Sequence, residues 1–194
     1  MGQKIKSALE MALEKTANLN VDQQEIIDME LEQKGSEWAA KFLQSKSFDL
    51  TAALKEVPQK DLPAVIKGAR ETFLRNIQPP SDAVIRDTNK RAMEGLMLLT
   101  DNKQHLKEIF GEMEYLFQYY VQAVQQVYAA AKNAVEQRLA QAQHKLEQQL
   151  GVRVKVKAEN RPEFQIEYQR ALGQLNSQYE EYLNHHKDRV RSVL

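Results

Sequence analysis

Four histidines are present, and two of them head His-x-x-Glu pairs: His105 with Glu108, and His144 with Glu147. At that spacing both side chains share one helical face. Di-iron helical bundles use Glu-x-x-His on two different helices, with two further glutamates. Here the order is reversed. Both pairs also fall on one helical stretch, about 39 residues and so roughly 58 Å apart by helix rise. They cannot build one metal centre within a chain. Glu181 and His185 lie four apart and suit at most a weak surface site. The simpler role for all three pairs is modest helix support. No metal and no cofactor is expected.

Other chemistry finds little footing. There is no cysteine, which excludes thiolate catalysis, disulfides and cysteine-ligated metal sites. No serine sits in a Gly-x-Ser-x-Gly elbow, and seven scattered glycines make no phosphate loop. No catalytic residue is assigned. Two basic clusters stand out: Arg153, Lys155, Lys157 and Arg161, and then His185, His186, Lys187, Arg189 and Arg191. In a hairpin they would sit at opposite ends. The second complements a helix C-terminal dipole. The 27 basic residues equal the 27 acidic ones, so formal net charge is zero. Nucleic-acid binders usually show a basic excess, so nucleic acid is a disfavoured partner.

These residues depend on long helices. Gly and Pro are scarce, while Ala, Gln, Glu, Leu and Lys dominate, a helical composition. The chain is organised around His105 to Leu150, which lacks proline and holds one internal glycine, Gly111. Leu106, Ile109, Phe110, Met113, Leu116, Phe117, Tyr120, Val124, Val127, Ala131, Val135 and Leu139 recur in steps of three and four. That is one buried helical stripe. Tyr115 and Tyr119 add a further aromatic face, so the first half should be covered on several sides. The Gln-rich second half should be covered on one.

Upstream, Ile5 to Thr16 forms a short amphipathic helix and Asn18 to Asn20 a break. Asp22 caps a helix from Gln23 to Gln44, which Gly35-Ser36 bends or splits. Trp38, the single tryptophan, is a candidate core anchor. Asp49 caps a helix from Leu50 to Val57. Asp61 caps another, ended by Pro79-Pro80, and Ser81 or Asp82 caps a third, Ala83 to Leu99. Val152-Arg-Val-Lys-Val-Lys157 alternates like a strand. It is either an extended connector or an interaction surface that pairs with its copy in a second subunit. Asn160 and Pro162 restart a helix that runs to the carboxyl end. It folds back with Phe164 and Tyr168 near Leu146 and Leu150.

The opening, Lys4 to Thr16, resembles the start of a family of uncharacterised bacterial helical proteins. That resemblance implies a bacterial cytoplasmic protein and carries no catalytic residue with it. No apolar run is long enough for a signal peptide or a spanning helix, so no membrane partner is expected.

The sequence thus predicts an all-α protein: a cluster of short helices over 1–100 and a long antiparallel helical hairpin, coiled-coil-like, over 101–194. The cluster packs on the aromatic half of the hairpin. The leading function is a cytoplasmic structural or interaction protein, a homo-oligomer or one with an unidentified protein partner. The alternative is a helical enzyme or small-molecule binder whose pocket is lined by Trp38, Tyr115 and Tyr119.

Overall fold

A computed structural model describes residues 8–150 and 157–194, and side chains within them from residue 23 onward except 145, 146, 149 and 150. The described chain is all-α: α1 Ala8–Gln44, α2 Leu50–Lys55, α3 Leu62–Asn76, α4 Ala83–Met97, α5 Lys103–Leu150 and α6 Pro162–Val193. A single 3-10 turn, Ala158–Asn160, precedes α6. No described residue is in a strand. The chain divides into two compact units. Unit 1 holds Met1–Ile77, Lys90–Asp101 and Leu194; unit 2 holds Gln78–Asn89 and Asn102–Val193.

In unit 1, α1 runs unbroken through both sites expected to interrupt it. Asn18 to Asn20 lies inside the helix, so no helix begins at Asp22. Asparagine in a helix interior costs only a fraction of a kcal/mol, and neither glycine nor proline stands there to stop the chain. Gly35-Ser36 is a packing device and not a bend. A Cβ on Gly35 would overlap the Val65 carbonyl oxygen and lie 2.9 Å from the Ala69 nitrogen. A Cβ on Gly68 would overlap the Glu32 carbonyl. Each glycine thus admits the other helix's backbone. Ser36 Oγ donates to Glu32 O at 3.0 Å and reaches Gly68 O at 3.1 Å. Lys67 Nζ pairs with Glu32 across the same crossing at 2.6 Å.

Below that crossing lie Ala39, Phe42, Val65, Ala69, Phe73, Leu96 and Leu50, all buried. Phe42 meets Phe73 edge-on at 5.7 Å. Gly95 leaves room for that ring, since a Cβ there would come within 2.6 Å of Phe73 Cε1. Arg91 closes the end of α1. Its Nε donates to Phe42 O and its Nη2 to Ser45 O, both at 3.0 Å, while its guanidinium lies 3.8 Å over the Phe42 ring. Two carbonyls that the helix leaves unsatisfied are therefore capped. Asp49 caps α2 through Ala52 N at 2.9 Å. Asp61 occupies the cap position of α3, but its side chain makes no cap bond.

In unit 2, Asp82 and not Ser81 caps α4, accepting from Ile85 N at 2.8 Å. Asn89 is buried and holds the backbone of Gln78 at both ends. Gln78 N donates to Asn89 Oδ1 at 2.9 Å, and Asn89 Nδ2 donates to Gln78 O at 2.6 Å. The helices α5 and α6 run antiparallel. Tyr120 meets Tyr179 edge-on at 5.2 Å and donates to Asn176 Oδ1 at 2.8 Å. Tyr128 meets Phe164 at 5.3 Å and Tyr168 at 5.6 Å. Phe164 is buried with Ala131, Val135 and Ala158. The register thus differs from expectation: Phe164 and Tyr168 pack at Tyr128 to Leu139, well before Leu146 and Leu150. The aromatic rings select this register, because Tyr128 and Val135 offer a matching surface and Ala131 supplies the space between them. Lys132 to Glu159 at 2.6 Å fixes the turn end. Arg138 to Glu167 adds a second cross-helix pair.

Candidate functional site

One groove in unit 2 gathers most of the side chains that could recognise something. It lies along α5 and α6, measures about 740 Å³, and is lined by Glu108, Glu112, Tyr115, Tyr119, Tyr179 and His186. Gly111 and Leu116 complete it. On α5 the positions 108, 112, 115 and 119 follow steps of four, three and four, so they share one face. That face differs from the stripe of Leu106, Ile109, Phe110 and Met113, which is buried. Helix α5 therefore carries a core stripe and a second, outward stripe of acid and tyrosine.

The tyrosines are open. Tyr115 is 60% exposed, Tyr119 48% and Tyr182 62%. Tyr115 and Tyr119 hold each other, with rings edge-on at 4.6 Å and hydroxyls 2.8 Å apart. That hydrogen bond raises the Tyr115 phenol above its ordinary range. Tyr179 is packed on Tyr120, and burial raises its phenol as well.

At one end of the groove, Arg189 reaches across from α6 and takes both oxygens of Glu112, with the Nη2 contact at 3.1 Å. His186 Nδ1 lies 3.4 Å from the same carboxylate. The Arg189 hydrogen bond holds Glu112 below the usual carboxylate range. Burial pushes the His186 imidazole below its ordinary value, more than Glu112 lifts it. Burial likewise lowers the neighbouring Lys187. No serine or threonine is among the groove's described lining residues, and a bidentate Arg–carboxylate pair is a clamp between helices and not a proton relay.

Trp38 belongs to unit 1, half-buried, with Lys34 Nζ 4.9 Å from its ring. It is not among the buried core side chains. Tyr115 and Tyr119 are brought together, as their four-residue spacing implied, but the aromatic half of α5 is left open on that side instead of enclosed. Of the alternating stretch, Val152, Arg153, Val154, Lys155 and Val156 lie outside the described residues. Lys157 is extended and exposed just ahead of the 3-10 turn. In the carboxyl-terminal basic cluster, Arg189 is engaged by Glu112 and Arg191 by Asp188 at 2.7 Å. Among the described residues no three His, Asp or Glu side chains converge as metal ligands. Glu112 and Arg189 escaped the sequence argument because their pairing depends on the hairpin register. The signal that could have extended the Tyr115 and Tyr119 face to the groove is the period of Glu108, Glu112, Tyr115 and Tyr119.

The model of a family of unknown function, DUF6657, matches residues 51–192. The chain belongs to this family. The DUF6657 span begins within α2, ends within α6, and contains every groove residue. An uncharacterised family was expected from Lys4 to Thr16; membership is established on different residues, since the match leaves out all of α1. No curated protein and no solved structure matches the chain. No helix among the described residues is long and apolar enough to cross a membrane.

Proposed function

We propose that this DUF6657 protein is an interaction scaffold whose hairpin docks a protein partner on its tyrosine face. The observation that carries this reading is the set of open tyrosines, Tyr115, Tyr119 and Tyr182, on two helices that pack against each other along a separate buried stripe. Tyrosine gives large contact area at low entropic cost and is enriched where proteins meet. Leaving several of them in water gains a soluble chain nothing. The partner is a second copy or another protein, and the setting is cytoplasmic, which the lack of cysteine fits.

A photocrosslinking residue placed at Tyr119 of the full chain, in its own cells, tests this. One discrete adduct is expected, weakened by Tyr115→Ser and not formed from exposed Asn133 on the same helix. Its mass separates a second copy from another protein. Equal labelling from both positions, or none from Tyr119, would overturn the reading.

A further inference from the structure

We infer that the groove receives the cationic side chain, lysine or arginine, of the docked partner. The inference rests on the docking role proposed above and names the chemistry recognised. The lining holds two carboxylates and three tyrosines, and no lysine or arginine. Arg189 offsets Glu112. Among the described residues Glu108 pairs with no cation, and its one hydrogen bond is a long 3.4 Å contact from the neutral Gln104 amide. Rings with negative faces beside an uncompensated carboxylate attract an organic cation.

Gly111 is the second observation. A glycine inside a helix costs about 1 kcal/mol against alanine. Gly35, Gly68 and Gly95 each meet a neighbour that explains them; a Cβ on Gly111 or Gly173 would touch nothing within 4 Å, and of these two Gly111 lies in the groove. No packing among the described residues requires the glycine there. A side chain laid along α5 would use that space.

The cation comes on a polypeptide and not as a free amine. Sites for small molecules bury most of the ligand. Here two of the three rings are about half open or more, at 60% and 48%. A free amine would keep most of its surface in water, whereas a partner's backbone can cover the open side.

Ring-labelled tyrosine NMR of the full chain tests this with three probes: an alanine-rich heptapeptide with a central lysine, its norleucine twin, and n-butylamine. The lysine peptide should shift the Tyr115, Tyr119 and Tyr179 rings saturably, and the norleucine peptide should not. Glu108→Gln and Tyr115→Leu should each weaken the lysine peptide about three-fold. Their unfolding midpoints check that these exposed changes leave the fold intact. If the norleucine peptide binds equally, the cation is not recognised, although a docking surface remains. Butylamine binding as tightly as the peptide would assign the site to free amines and overturn the polypeptide source. If no probe shifts the rings, the cation proposal fails, while the crosslink at Tyr119 judges the docking role separately.

Discussion

Gly35 of α1 and Gly68 of α3 face each other's helix backbone, and neither position has room for a single methyl group. Alanine at either site must push two helices apart. The expected loss is about 2 kcal/mol or more, because overpacking outweighs alanine's higher helix propensity. Chemical denaturation of Gly35→Ala and Gly68→Ala should show lowered midpoints. Gly111→Ala and Gly173→Ala meet nothing within 4 Å and should raise them, each by roughly 0.5–1 kcal/mol. Equal effects at all four sites would contradict the close crossing.

Asn89 should be intolerant of change. Removing its amide in Asn89→Ala leaves the Gln78 N–H and C=O without their partner. The cost should be about 2–3 kcal/mol in denaturant titrations. Asn89→Asp should recover only part, since a carboxylate can accept from Gln78 N but cannot donate to Gln78 O.

Arg91 is expected to resist conservative replacement. Arg91→Lys keeps the charge but loses the fork that spans Phe42 O and Ser45 O, and the flat face over the Phe42 ring. A loss of about 1–2 kcal/mol is expected, and the carboxyl end of α1 should exchange its amide hydrogens faster.

The Glu112, His186 and Arg189 group sets an acid dependence. His186 titrates lower in the folded chain than its ordinary 6.5, so unfolding binds a proton as pH falls below about 6.5. Its contribution is present above that pH and is lost as pH drops through the folded value. Glu112 is also lowered, so its share is kept above about 4.5 and is lost below it. Thermal midpoints followed from pH 8 to 4 should fall in two stages. His186→Gln should flatten the first and leave the second.

Much of this architecture was legible in local residue patterns, and the failures share one cause. Asp49, Asp82 and Pro162 mark helix starts through chemistry that acts within three or four residues, and the structure has those helices start where they indicate. Asn18 to Asn20 misled because weak helix formers do not end a helix without a cap or a proline. Gly35-Ser36 misled because its meaning depends on Gly68, which is distant in sequence. The hairpin register depends on which aromatic finds which gap, so Phe164 beside Ala131 could not be placed by spacing alone. At the groove, the α5 stripe was visible as Tyr115 and Tyr119 on one face. The α6 contributions of Tyr179, His186 and Arg189 appear only once the register is set.

The docking claim is tested most directly by chemical footprinting of tyrosines, comparing the purified chain with the same chain in its own cells. Tyr115, Tyr119 and Tyr182 should react readily with a tyrosine-selective reagent when purified and become several-fold protected in the cell. Tyr128, 40% exposed against α6, should react alike in both. Reactivity at Tyr115 and Tyr119 that is the same in the cell as in isolation would contradict the account.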